Sequence, residues 1–157
     1  MSTGSTSIRL ATASFVLVFV VAAVTFGYTW QGQTAFMERT EITAHGNYEV
    51  TSVEDHGTVT VRLQVENPTS KPIRITSGSI FGTLDGEQIV RDDTGGVSNQ
   101  RIPAGGNRTF TVQCHFVDRS PNSTTVSRIR QGEMRIVGLL GAEMVDKRFD
   151  IEVTPDE

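Results

Sequence analysis

The chain has 157 residues and a formal charge of −4, with 37% hydrophobic and 20% charged residues. That length holds one domain with a real core and is too short for two domains plus a membrane segment. Of the fourteen basic residues only Lys71 and Lys147 are lysine, and an acidic, lysine-poor chain lacks the clustered basic face of a nucleic-acid binder, so no nucleic-acid partner is expected.

From Leu10 to Met37 no residue is charged, and the apolar stretch at residues 10–30 (LATASFVLVFVVAAVTFGYTW) spans ~31 Å as a helix at ~1.5 Å per residue. A bilayer's hydrocarbon core is ~30 Å thick, so the segment is read as a single N-terminal transmembrane helix after a tail at residues 1–9. Thr12, Ser14 and Thr25 can return their hydroxyls to the helix backbone, and Tyr28 and Trp30 fall where an interfacial aromatic belt sits. A cleaved secretory signal is the competing reading, with Thr25-Phe26-Gly27 as a poor small-x-small site. The apolar run outlasts the ~7 to 15 residues of a signal's apolar region, which favours retention. Arg9 precedes the helix, while Glu38, Arg39 and Glu41 follow it without net positive charge. The positive-inside rule then places the tail in the cytoplasm and the domain outside the cell membrane.

Residues 31–41 are polar and aperiodic, as a tether would be, and the folded domain is expected over residues 42–154. A weaker strand is predicted at 42–53. In 58–66 the alternation is strict, with Val59, Val61, Leu63 and Val65 on one face and Thr60, Arg62 and Gln64 on the other. Strands at 73–84 and 87–91 flank Asp85-Gly86, a dipeptide suited to the positive φ angles of a two-residue hairpin turn. The apolar face changes parity around Gly78, from Ile73 and Ile75 to Ile80 and Leu84, as a bulge there requires. Residues 92–106 read as a long irregular loop. Phe110, Val112, Cys114 and Phe116 face inward on a strand at 109–116, a short helix follows at 123–131 with Ser123 as cap and Gly132 as its close, and strands at 133–145 and 147–154 form a final antiparallel pair. About seven short strands at these spacings, with one helix, predict an all-β, two-sheet antiparallel sandwich.

No residue stands out as catalytic. A single cysteine, Cys114, excludes an intramolecular disulfide and a cysteine zinc cluster, and reads as a small buried hydrophobe. Glu54-Asp55-His56 with His45, and Asp92-Asp93 before Thr94-Gly95-Gly96, have the residue types of metal ligands without their spacing. No serine lies in a nucleophile elbow, and the glycine pairs at 95–96 and 105–106 lack the context of a phosphate cradle. No metal, cofactor or small-molecule substrate is therefore expected. Asn107-Arg108-Thr109 and Asn122-Ser123-Thr124 match the N-glycosylation acceptor pattern, whereas Pro68 excludes Asn67.

The most distinctive passage is Val61-Arg-Leu-Gln-Val-Glu-Asn67-Pro68-Thr-Ser-Lys-Pro72-Ile73-Arg-Ile75. Pro68 has no donor and ends a ladder, Asn67 can bond the turn backbone, and Pro72 pre-sets φ for the next strand. This passage resembles the water-stress and hypersensitive-response (WHy) domain of the late embryogenesis abundant type 2 proteins, as does Ile129-Arg-Gln-Gly132-Glu-Met-Arg-Ile136-Val-Gly138 near the C-terminus. The resemblance covers roughly residues 42–153. It implies a sandwich of the immunoglobulin or fibronectin-III kind and a non-catalytic role in desiccation or osmotic stress. The anchor and the acidic balance resemble an archaeal, haloarchaeal member. The alternative is a cell-envelope assembly or adhesin-like subunit with an envelope protein partner. The basic residues Lys71, Arg74, Arg101 and Arg108 surround loops that, above a short tether, can touch anionic lipid headgroups.

Overall fold

The computed structural model of the chain describes residues 4–52, 58–92, 97–118 and 121–156, with the backbone alone at 4–13 and 50–52. A long helix, α1 (Gly4–Met37), leads through a 3-10 turn at Glu38–Glu41 into eight strands: β1 (Thr43–Ser52), β2 (Thr58–Asn67), β3 (Ile73–Leu84), β4 (Glu87–Arg91), β5 (Gln100–Ile102), β6 (Gly106–Phe116), β7 (Arg135–Met144) and β8 (Lys147–Pro155). One short helix, α2 (Ser123–Arg130), sits between β6 and β7. The helical backbone of α1 does not stop at Trp30, so residues 31–37 of the expected tether are helical.

The alternating faces are where the pattern puts them. Val59, Val61, Leu63, Val65, Cys114 and Ile75 are fully buried, and Val112, Ile73, Ile151 and Val153 nearly so. The Asp85-Gly86 turn carries φ of 54° and 84°, as the hairpin requires, and joins the β3–β4 pair. The parity change in β3 comes from a register shift against β7 between Ile75 and Ser77, one residue ahead of Gly78. The cap of α2 is Asn122 rather than Ser123: its Oδ1 accepts from the Thr125 backbone N–H at 2.7 Å.

The expected two-sheet antiparallel sandwich is not what forms. Neighbouring strands run β4-β6-β2-β1-β8-β7-β3, and β4 also pairs with β3, which closes seven strands into a barrel. The closing seam is short, Val90 with Phe116 and Arg91 with His115. A ring in which every neighbour is antiparallel needs an even number of strands, so a seven-stranded ring must hold a parallel pair. That pair is β1 with β8, at Ala44–Gly46 against Val153–Pro155. Closure also removes the sheet edges that a sandwich leaves open. The region expected as an irregular loop contains β5, which pairs with Ile73–Ile75 on the side of β3 that β4 takes further along.

Candidate functional site

The barrel has two unlike ends. One carries the β2–β3, β5–β6 and β7–β8 turns and meets α1; the other carries α2 and the β3–β4 turn.

At the α1 end, the Asn-Pro passage forms a closed polar knot. Asn67 and Thr69 are the buried polar residues of the described chain. The Asn67 Nδ2 donates to the carbonyls of Lys71 and Pro103, each at 2.9 Å. Its Oδ1 accepts from the Thr69 hydroxyl at 2.7 Å and the Thr69 N–H at 3.3 Å, and Gly105 N–H donates to the Thr69 carbonyl at 3.0 Å. One amide thus ties the β2–β3 crossover to the β5–β6 turn, with all its hydrogen-bonding groups matched. Pro68 stays exposed, Pro72 is half-buried, and Ile73 begins β3 in the core opposite Ile102.

The last turns of α1 pack on this end. Ala35 is fully buried within the barrel's apolar cluster, and Phe36 meets Phe149 edge-on at 6.0 Å. Gly32 lies so close to the β7–β8 turn that an added Cβ would stand 3.3 Å from Val145 Cγ1. Three cations lie over aromatic rings of α1: Lys71 over Tyr28 at 4.7 Å, and Lys147 and Arg39 over Phe36 at 4.9 and 4.5 Å.

The four residues predicted to touch headgroups all lie on this half of the barrel, but they differ in state. Arg74 pairs with Glu143 at 3.0 Å and faces Arg101 across the β3–β5 ladder, while Arg108 donates to the Arg101 carbonyl at 3.0 Å. Lys71 alone of the four reaches α1 by a ring contact. Sequence reasoning missed Lys147, although its being the other lysine of the chain was a usable signal. The two acceptor asparagines are exposed at opposite ends, Asn107 near α1 and Asn122 capping α2.

At the far end, the β7–β8 ladder ends at Gly138 with Val153 while β8 runs on beside β1 to Pro155, and the passage after α2 lies near Tyr48 of β1. The Tyr48 hydroxyl donates to the Ile129 carbonyl at 2.9 Å and accepts the Met134 N–H at 3.1 Å. Burial raises the Tyr48 pKa, partly opposed by the Met134 N–H and reinforced by the Glu133 charge. Beside it lies a cleft of about 490 Å³ lined by Tyr48, Ile129, Met134 and Ile136. Arg128 anchors α2 by bonding Asp85 at 2.6 and 3.1 Å and Glu133 at 2.6 Å. Its hydrogen bonds hold the Asp85 carboxyl below the usual range, and those to Asp85 and Glu133 hold Arg128 above its own. The Glu54-Asp55-His56 and Asp93 to Gly96 passages lie outside the described residues; among those described, no three His, Cys, Asp or Glu side chains gather as metal ligands.

No family model matches the chain, and no curated protein matches it in sequence. Solved structures overlap it distantly. A protein from Archaeoglobus fulgidus is 13% identical with a TM-score of 0.42, covering 73% of this chain and 97% of that one. A protein classed as ApaA from Bordetella pertussis is 14% identical with a TM-score of 0.44, covering 72% and 86%. A solution structure of a protein classed as late embryogenesis abundant is 18% identical with a TM-score of 0.38, covering 88% and 83%. Likenesses of this size carry no activity across. The type 2 resemblance rests on the Asn67 passage and the residue 129–138 passage, not on a matched family.

Proposed function

We propose that α1 is a membrane anchor and that the barrel is a non-catalytic module held directly against the extracytoplasmic face. The observation that carries this reading is the surface of α1. Phe15, Phe19, Val24, Phe26 and Trp30 are all more than 60% exposed on a helix long and apolar enough to cross a membrane. Such a run needs an apolar cover that the barrel does not supply, and lipid supplies it. Retention is supported by Gly32, Ala35 and Phe36, which belong to the packing of the barrel itself. The non-catalytic reading rests on the sequence, in which no residue stands out as catalytic, and the buried polar pair Asn67 and Thr69 serves to tie the β2–β3 crossover to the β5–β6 turn.

The physiological role we assign is the one the late embryogenesis abundant type 2 resemblance implies, protection during desiccation or osmotic stress. The alternative, an envelope-assembly or adhesin-like subunit, is favoured by the cleft at Tyr48, on the end facing away from α1. An alkaline wash of membranes from cells expressing the chain with a C-terminal tag tests the anchor: the full-length chain stays in the pellet, and protease added to intact cells removes the tag. Release by the wash overturns the anchor; a tag that survives shaving overturns its sidedness. Survival of a deletion strain equal to the parent after drying or osmotic shock overturns the stress role. Crosslinking of intact cells distinguishes the alternative by trapping the chain with an envelope protein.

A further inference from the structure

The chain has two lysines, and the fold brings both to the same place. Lys71 is on the β2–β3 crossover and Lys147 opens β8; they are separated by most of the domain in sequence. Each places its ammonium over an aromatic ring of α1, Tyr28 for the first and Phe36 for the second. Eight residues of helix separate those rings, about 12 Å of rise. Among the described residues neither ammonium forms an ion pair with a carboxylate, whereas Arg62, Arg74 and Arg128 do.

If Tyr28 and Trp30 lie at the membrane interface, the anchor reading on which this inference rests, then Lys71 stands within the headgroup layer and Lys147 just above it. Headgroup regions add roughly 5 to 8 Å to each side of the hydrocarbon core, so a rise of about 12 Å leaves the Lys147 ring contact a few ångströms above the layer, and its flexible stem lets the ammonium reach down to the phosphates. A lysine is suited to that position, because its stem lies along apolar surface while a compact charge with three donors faces the phosphates. The other twelve basic residues are arginines.

We propose that Lys71 and Lys147 form a two-lysine seat that binds the phosphate groups of anionic lipids in the membrane holding α1. Glu38, Glu41 and Asp146 share this end of the molecule, so the seat works by contact at two points and not by a long-range positive field. The barrel is thereby held upright, with its α2 end and the Tyr48 cleft turned outward.

The test uses the full-length chain carrying Arg130→Lys, an exposed reference amine at the α2 end, in nanodiscs of phosphatidylcholine alone or mixed with phosphatidylglycerol. A sulfonated succinimidyl ester labels accessible amines, and peptide mass spectrometry reads each site. At low salt, labelling of Lys71 and Lys147 is expected to slow about fivefold in the anionic discs, the effect of ~1 kcal/mol per lysine at an anionic surface, with the reference unchanged. Equal rates in both discs, or protection of all three amines alike, overturn the seat while leaving the anchor standing. A chain that does not co-elute with discs overturns anchor and seat together.

Discussion

Asn67 is the residue on which the α1 end depends. It makes four hydrogen bonds in a space with no water access; truncating it takes one donor each from the carbonyls of Lys71 and Pro103, which keep the Thr69 hydroxyl and the Gly106 N–H, and leaves the Thr69 N–H without its acceptor. Asn67→Ala is expected to lower unfolding stability by roughly 2–4 kcal/mol, read from the denaturant midpoint in detergent. Asn67→Asp is expected to cost at least as much, because it keeps the acceptor, loses both donors and sets a charge against two carbonyls. A milder effect for aspartate than for alanine would show that the knot is open to water. The importance of Asn67 was legible in sequence because Asn-Pro punctuates an alternating strand. Its partner Pro103 was not, since 36 residues separate them and nothing local links the two.

At the scale of elements, α2 is fixed from both sides. Ile129 joins the barrel's apolar cluster, Val126 is buried as well, and Arg128 ties the helix to the Asp85-Gly86 turn. The folded pKa of Asp85 lies below its unfolded value, so its contribution is fully present above the ordinary carboxylate value near ~4 and is lost as pH falls through the folded value. The melting midpoint of the wild type is therefore expected to exceed that of Asp85→Asn by a constant amount at neutral pH. The two should converge in acid below the carboxylate range. Curves that stay parallel down to that range would remove the ion pair as the tie. Asp85-Gly86 was legible as a turn, and residues 123–131 as a helix, but nothing in the sequence places Arg128 against Asp85.

The β7–β8 turn belongs to the same scale. Val145 and Asp146 both hold positive φ, 48° and 61°, which a β-branched residue rarely does. Val145 is also the residue that meets Gly32 of α1, so a strained turn and the docking of the helix coincide. Val145→Gly is expected to relax the turn, leaving thermal stability unchanged or higher by up to about 1 kcal/mol. It should also speed proteolysis after Arg39, because α1 loses that contact. Slower or equal cleavage would show that Ala35 and Phe36 alone hold the helix.

For the whole molecule, the barrel is as strong as its seam. β2 pairs with β6 along its full length, whereas β4 meets β6 only at Val90 and Arg91. Native-state hydrogen exchange is expected to show the β4–β6 seam opening at lower free energy than the β2–β6 and β3–β7 ladders. Uniform protection across all strands would mean that the barrel opens only by global unfolding.

Local chemistry alone determined the apolar helix, the inward faces of the strands, the hairpin at Asp85-Gly86 and the Asn-Pro turn, because each depends on residues within a few positions of one another. Alternation tells a strand which face to bury but not which neighbour to join. It therefore could not distinguish a sandwich from a closed barrel, nor reveal the three-residue β5, too short to show a period. The β4 bridge between β3 and β6, the parallel β1–β8 pair that an odd ring requires, and the meeting of Lys71 and Lys147 with the rings of α1 are long-range events. Only tertiary packing decided them, because each joins segments that share no local signal.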